Sequence, residues 1–222
     1  VMFSKPKRVG FNGQEFLFRD REGKVKALEA KEGAEALLFP FPEKRVELLI
    51  DEDLYRLDVG EADGFGGLSE EERKNYLKWK DLSSQGLSVY RYHKRTGQLF
   101  LFNLDPETRK AYEVALKNRR ISGVKPWLFH IYDSLRGRLS PLSLLVIGEG
   151  SRSFFLAIDK EGPFFYRKKN HLSLEEVEEE TETTLNFLEQ RFHISLERVF
   201  TNLPFASREV EALPANLWEG SL

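Results

Sequence analysis

The sequence predicts an α/β fold of two lobes, in which each lobe combines a short antiparallel sheet with helices. Three observations lead to this prediction. Short apolar runs separated by turn residues occur in groups of three near both ends of the chain, within residues 8–29 and 144–166. Each group is followed by segments with helical and strand patterns, as in mixed folds. No apolar stretch approaches the roughly 18 residues of a membrane-spanning helix, so the apolar residues are expected to form an internal core.

Composition excludes several functional classes. The formal net charge is −2, so no overall field attracts nucleic acid or an anionic membrane. Cysteine is absent, which excludes disulfides and thiol catalysis and fits a reducing compartment. No phosphate-binding P-loop, dinucleotide fingerprint or nucleophile elbow occurs. Abundant Glu, Lys and Arg with a single Met is typical of a thermophile.

Four histidines are too widely dispersed to form a pair at metal-ligand spacing. They are His93, His130, His171 and His193. We interpret each of them as a surface residue or a satisfied core residue.

The first lobe begins with strands predicted at 8–11, 15–19 and 25–29. Asn12-Gly13 is the strongest two-residue hairpin signal in this part of the chain. Further apolar runs predict strands at 45–50 and 54–57.

Three adjacent carboxylates separate those last two strands: Asp51, Glu52 and Asp53. We interpret them as a solvated turn rather than as an acid/base pair. Residues 58–67 are rich in glycine and acid and predict a mobile surface loop. Ser69 and Glu72 then cap a polar helix that runs to about Asp81.

A hairpin is predicted from residues 87–92 and 99–104. It carries four aromatic residues, Tyr90, Tyr92, Phe100 and Phe102, and the nearby cations Arg91, Lys94 and Arg95. Strand aromatics usually form core or cross-strand pairs, which is the interpretation we favour. The alternative is a stacking platform for single-stranded nucleic acid.

The chain then predicts two helices and a linker. Asp105-Pro106 starts a helix that is expected to run to about Ile121, with Lys117, Arg119 and Arg120 complementing its dipole. A second helix is predicted at 126–135. We place a domain boundary in the linker at 137–141, which makes residues 1–139 a first lobe with an inserted hairpin and helix, and residues 140–222 a second lobe.

The second lobe repeats the pattern of the first. Strands are predicted at 144–147 and 154–158, and a third begins at Phe164. Ser173 and Glu176 form a capping box for a long acidic helix, with Leu172 and Val177 as its hydrophobic staple. A strand at 197–200 and a short helix at 207–213 complete the lobe.

This order of elements is that of the ribonuclease-H-like, actin-type half-domain. Gly123-Val124-Lys125-Pro126, the strand and turn at 144–153, the segment Gly162-Pro163-Phe164-Phe165-Tyr166-Arg167 and the capped acidic helix resemble one family in particular. It comprises the actin-like protein of type IV pilus machines and the cytoplasmic domain of its type II secretion counterpart (PilM-like and GspL-like proteins). The resemblance covers most of residues 7–203 and implies a two-lobed actin-like fold.

The family's nucleotide site is expected to be degenerate in this chain. Actin-type sites use two turns that each carry an Asp, and the resemblance puts Asn12 and Gly13 at the first turn and Gly148 and Gly150 at the second. An amide brings no charge and a glycine brings no ligand, so we expect no catalysis, no cofactor and no metal. Glu149 could restore a carboxylate, but strand alternation should direct it away.

The resemblance therefore implies a non-enzymatic scaffold in the cytoplasm, peripheral to or tethered at the inner membrane. Its partners would be the N-terminal region of a motor ATPase and a bitopic platform protein, without nucleic acid, and a homodimer is also compatible. A membrane helix after Leu222 would fit the secretion type. Two rigid halves could hinge around a cleft. The alternatives are an active actin-like or sugar-kinase-like ATP-binding enzyme and a domain that binds single-stranded nucleic acid.

Overall fold

The computed structural model describes residues 5–30, 36–80, 87–171 and 173–222. Within these ranges the chain forms three sheets and five α-helices. The strands are β1 (Lys7–Phe11), β2 (Glu15–Arg19), β3 (Val25–Glu29), β4 (Arg45–Ile50), β5 (Tyr55–Glu61), β6 (Leu87–His93), β7 (Gln98–Leu104), β8 (Arg120–Pro126), β9 (Ser143–Glu149), β10 (Arg152–Asp159), β11 (Gly162–Asn170), β12 (Arg198–Thr201) and β13 (Glu211–Ala212). The helices are α1 (Glu70–Lys80), α2 (Pro106–Ala115), α3 (Trp127–Leu135), α4 (Leu174–Phe192) and α5 (Leu217–Gly220).

The first sheet has the order β3-β2-β1-β4-β8. Strands β1 to β3 form the predicted antiparallel meander, and β4 and β8 add to it in parallel. The first turn lies one residue later than predicted. The Asn12 amide donates to the Glu15 carbonyl at 3.2 Å, so Gly13 and Gln14 form its tip. Gly13 takes the left-handed conformation there, with φ at 91°.

Strand β8 replaces the end of a predicted helix. The helix expected to reach Ile121 stops at Ala115, and Arg120 already lies in a strand beside β4. Arg119 does not serve the helix dipole. Its guanidinium donates at 3.2, 3.0 and 2.7 Å to the carbonyls of Phe39, Phe41 and Glu43. These contacts hold the preceding loop against the chain as it enters β8.

The second sheet has the order β11-β10-β9-β12-β13. The meander β9 to β11, the long helix α4 and strand β12 confirm the prediction for these elements. Ser173 caps α4 by accepting from the Glu176 amide at 3.3 Å, whereas the staple residue Leu172 lies outside the described residues.

The helix predicted at 207–213 is wrong. Glu178 of α4 accepts the amides of Ala206 and Ser207 at 2.6 and 3.1 Å, which uses donors in this segment for a tertiary contact. The chain then pairs with β12 as β13. The terminal helix α5 forms later instead.

The third sheet, β5-β7-β6, corrects the prediction of a loop at 58–67. Strand β5 pairs with β7 from Tyr55 to Glu61. The first four residues of the predicted loop, 58–61, therefore belong to this strand. Helix α1 follows with the predicted capping box: the Ser69 amide donates to Glu72 at 2.8 Å, and the Glu72 amide donates to Ser69 at 3.3 Å. The predicted helix end at Asp81 lies outside the described residues.

Helix α3 lies at the centre of the largest hydrophobic core. This core combines Leu49 of the first sheet, Phe102 of the third, Leu128 of α3 and Leu145 of the second, all buried. Residue 139 falls in the connection between α3 and β9, and the division of the chain there stays a prediction. None of the described helices combines the length and apolarity needed to cross a membrane.

Helix α5 spans from the second sheet to the first. The chain leaves the second sheet where the Leu213 amide donates to the Thr201 carbonyl at 2.8 Å. Trp218 then packs between Trp127 and Phe154, with ring centroids 5.5 and 5.6 Å away. Two arginines of the first sheet bind the α5 backbone: Arg19 at the Glu219 carbonyl (2.8 Å) and Arg8 at the Ser221 carbonyl (3.3 Å).

Candidate functional site

The first of the two predicted phosphate turns is closed by its own side chain. The Asn12 Oδ1 accepts the amides of Gln14 at 2.9 Å and Glu15 at 2.7 Å. This is the short-range bonding by which Asn stabilises a turn. The side chain that stands where the resemblance puts the family's first Asp therefore has its oxygen already used inside the hairpin.

The second turn has the same form as the first. Glu149 pairs with Arg152, so Gly150 and Ser151 form its tip, and Gly150 has a positive φ of 57° like the glycine of the first turn. The residue that corresponds to Asn12 by this register is Glu149. Gly148, which the sequence alignment puts in that place, lies one residue earlier in the strand.

Gly148 is buried and is in contact with Asn202 and Leu203. Asn202 binds its backbone twice, accepting from the amide at 2.8 Å and donating to the carbonyl at 2.9 Å. A Cβ at Gly148 would fall 2.5 Å from the Cδ2 of Leu203. Close packing against Leu203, rather than a ligand, favours a glycine at this position.

Arg152 binds carboxylates that follow a strand of the first sheet and one that ends a strand of the second sheet. Its guanidinium binds both oxygens of Asp51, at 2.8 and 3.1 Å, and one oxygen of Asp53 at 2.8 Å. It also pairs with Glu149, and Lys168 of β11 pairs with Asp53. Glu149 is thus directed at this cluster, and the expectation that it points away is wrong.

The prediction of a solvated turn after β4 is wrong for Asp51 and Glu52, which are buried, whereas Asp53 is exposed as predicted. Asp51 is only 6% exposed and Glu52 only 4%, because β10 and β11 cover them. Sequence reasoning missed Arg152 and Lys168 altogether. The available signal was an acidic triplet directly after a buried parallel strand.

Glu52 occupies the most enclosed position of the group. Its Oε1 accepts the Leu128 amide at the start of α3 at 2.9 Å, and its Oε2 accepts the hydroxyls of Tyr55 and, at 3.4 Å, Tyr166. No ion pair to Glu52 occurs within the described part of the chain. Burial raises the pKa of Glu52 to about 7, although the hydroxyl of Tyr55 and the amide of Leu128 oppose the shift.

Three neighbouring groups, Arg152, Asp53 and Glu149, also have shifted pKa values. The hydrogen bond to Asp51 raises the pKa of Arg152 above its ordinary value, and that from Lys168 lowers the pKa of Asp53. Burial raises the pKa of Glu149 even though Arg152 opposes this. Among the described residues, no three His, Asp or Glu side chains are arranged to hold a metal ion. The arrangement is a set of three carboxylates, Asp51, Asp53 and Glu149, that are paired with two internal cations, Arg152 and Lys168.

The chain is similar to known proteins in its structure but not in its sequence. The sequence matches no protein-family model and no curated protein. Among solved structures, the chain is similar to a PilM-PilN type IV pilus biogenesis complex, with a TM-score of 0.61 and 10% identity over 87% of this chain and 79% of that one. It is also similar to the cytoplasmic domain of EpsL, an inner membrane component of the Vibrio cholerae type II secretion system, with a TM-score of 0.53 and 13% identity over 96% and 92%. A Bacteroides thetaiotaomicron protein with an actin-like ATPase fold and unknown function gives 0.50 and 11% over 93% and 86%.

The chain has the actin-like fold. The prediction of this fold is thereby confirmed, and PilM and the EpsL domain, to which the sequence was compared by motif, are among its structural neighbours. Arg152 and the carboxylates that it binds, Asp51, Asp53 and Glu149, lie beside the turns at 12–15 and 149–152. These are the two turns at which the resemblance implies a degenerate phosphate site.

The aromatic platform proposed for nucleic acid does not form. In the ladder of β6 and β7, Tyr90 lies opposite Leu101 and Tyr92 opposite Leu99, so the tyrosines project from one face. Phe100 and Phe102 project from the other face and are buried against Phe129. The four aromatics are core and cross-strand residues, as the favoured interpretation held.

Proposed function

We propose that this protein is a non-catalytic scaffold on the inner-membrane platform of a type IV pilus or type II secretion machine. The observation that carries the proposal is the position of Arg152 between Glu149 of the second turn and Asp51 and Asp53 of the first half. The structural likeness to PilM and the EpsL domain supports the choice of machine.

The residues present do not fit a magnesium nucleotide at this place. A hard cation needs carboxylate oxygens that are free to bind it, and here Asp51, Asp53 and Glu149 already bind Arg152. A phosphate would face the same three carboxylates. Either ligand would have to displace Arg152 and break several charge-assisted hydrogen bonds, which are the strong ones.

The proposed partners follow from the systems in which the neighbours occur. PilM was solved with PilN, and EpsL is described as an inner membrane component. We therefore propose a bitopic membrane protein and the N-terminal region of a motor ATPase as partners, with the protein in the cytoplasm at the inner membrane. A homodimer is compatible with this role.

The direct test is complex formation with purified partner segments. The chain is mixed with the cytoplasmic segment of a candidate bitopic protein, and separately with a candidate motor N-terminal region, and each mixture is run on size exclusion with light scattering. We expect a stoichiometric complex with at least one segment at micromolar concentration. Absence of both complexes at 100-fold higher concentration would contradict the proposal.

A second candidate, an ATP-binding enzyme, is favoured by one observation. Glu149 stands where the register puts the counterpart of Asn12, so a carboxylate does lie at the second turn. Titration with magnesium-ATP, followed by thermal unfolding, separates the two candidates. We expect no shift for the scaffold, whereas a stabilisation that saturates at micromolar ligand would favour the enzyme.

A further inference from the structure

Strand β10 is bound to the rest of the molecule at both of its ends. At its first residue, Arg152 binds Asp51 and Asp53 in the connection that follows β4. We call these three residues the front clasp. The contact joins residues 101 positions apart in the sequence, so it ties the second sheet to the first.

At its last residue, Asp159, the strand meets the third sheet. The Asp159 Oδ1 lies 2.8 Å from the Nε2 of His93 at the end of β6, and His93 is only 2% exposed. The Thr96 amide donates to the Nδ1 of His93 at 3.3 Å, which leaves the proton of a neutral ring on Nε2, facing Asp159. We call His93 and Asp159 the rear clasp, and Arg95 adds a contact of 3.5 Å to the same carboxylate.

The two clasps are far apart. Strand β10 has 8 residues. At about 3.3 Å per residue, its two end residues are separated by roughly 23 Å. A single attachment would let the second sheet pivot about it. Two attachments at this spacing leave only rotation about the line that joins them. Between them, Tyr166 of β11 reaches Glu52 and α3 fills the core, which opposes the remaining rotation.

Opening the molecule would be costly at either clasp. Asp51 and Asp159 are both buried, and opening would break their hydrogen bonds with Arg152 and His93, which are charge-assisted and therefore among the strong ones. The backbone adds to the rear clasp, since the Glu161 amide donates to Asp159 at 2.7 Å.

We propose that the front and rear clasps lock the second sheet at a fixed angle to the rest of the chain. This actin-like protein then does not open and close around the space between its two turns. The inference goes beyond the proposed function, because a scaffold of this fold could equally well hinge.

The test measures, in the full chain, a distance between the first sheet and helix α4, which changes if the second sheet rotates relative to the first. The protein contains no cysteine, so Arg21→Cys in the turn after β2 and Gln190→Cys on α4 give two exposed, unique sites for spin labels. Pulsed electron–electron double resonance between the two labels should give one narrow distance distribution. Neither magnesium-ATP nor a partner segment should change it. A bimodal distribution, or one that either addition shifts, would overturn the proposal.

Loosening the clasps should release the motion. In the labelled chain, Arg152→Gln with Asp159→Ala, which removes both carboxylate oxygens of the rear clasp, should broaden the distribution at least twofold. The matched control is Arg109→Gln, which removes an exposed ion pair with Glu113 within α2 and should change nothing. Should the double variant fail to fold by circular dichroism, Arg152→Gln alone replaces it, because that change removes the cation of the front clasp. A folded variant that keeps the narrow distribution would show that the clasps do not set the angle.

Discussion

The ring of Trp127 lies directly against the backbone of Gly10: a Cβ at Gly10 would fall 2.5 Å from the Cζ3 of the indole. The ring cannot move aside easily. Trp127 is buried, and its Nε1 donates to the Ser221 Oγ at 2.6 Å. Helix α3 can therefore sit on the first sheet only because position 10 carries no side chain.

Gly10→Ala is expected to destabilise the protein by about 1–3 kcal/mol, the usual cost of forcing an extra methyl group into a packed core. Urea unfolding followed by fluorescence measures the loss. Gly60→Ala is the control, because that strand glycine has open space around its Cβ position and should change stability by no more than about 1 kcal/mol. Equal losses for the two variants would contradict the role of the indole contact.

Gly148→Ala should cost less than Gly10→Ala, on the order of 1 kcal/mol. The atoms that its Cβ would meet belong to Leu203, a half-buried side chain that can change rotamer, whereas the indole is held by a hydrogen bond. The double variant Gly148→Ala, Leu203→Ala should show positive coupling in a mutant cycle by urea unfolding. A larger loss for Gly148→Ala than for Gly10→Ala would refute this ranking.

Glu52 should make stability depend on pH near neutrality. Its pKa is about 7 when folded and 4.5 in an unperturbed chain, so the folded state binds the proton more tightly. The unfolding free energy should therefore fall as pH rises from 4.5 to 7, by at most about 3 kcal/mol, and then level off.

Glu52→Gln tests this directly, because it keeps the shape of the side chain and replaces the titratable carboxyl with an uncharged amide. The fall between pH 4.5 and 7 should be smaller by that amount in the variant, as measured by urea unfolding at half-unit intervals. Glu113→Gln, on the surface of α2, should keep the wild-type profile. If Glu52→Gln and the wild type have parallel profiles, Glu52 does not titrate in this range.

The two core tryptophans should respond differently to replacement by phenylalanine. Trp127 donates a hydrogen bond to Ser221, whereas the buried Nε1 of Trp218 has no hydrogen-bond partner among the residues that the structure describes. Trp127→Phe removes volume and a hydrogen bond, so it should cost about 1 kcal/mol more than Trp218→Phe. Thermal and urea unfolding of both variants decide the comparison, and the reverse order would show that Trp218 finds a partner in solution.

Local chemistry is enough to predict the strands and helices whose ends it marks. The meander strands β1 to β3 and the capped helix α4 follow from turn residues and from Ser173 with Glu176. Strand β8 and the missing helix at 207–213 could not be predicted in this way. Strand β8 forms because it pairs with β4, which is distant in the sequence, and the segment after β12 is held by Glu178 of α4, which binds the amides of Ala206 and Ser207.

The candidate site was partly predictable. Asn12, Gly13 and Gly150 do lie in two matching turns, which the sequence indicates through its hairpin signals. The charge cluster was not, because Asp51 and Arg152 are 101 residues apart and the acidic triplet at 51–53 does not indicate which cation it meets. A buried ion pair depends on how two sheets are packed, and no short stretch of sequence contains that information.

The crossing made by α5 determines how mechanical load enters the molecule. The helix is reached from β13 of the second sheet, yet Arg8 and Arg19 of the first sheet bind its backbone. Tension applied at Leu222 would be divided between the two sheets at once, and it would act on the arginine contacts and the tryptophan pair together. The protein should therefore resist pulling at that end as a unit, with no single strand peeling away first.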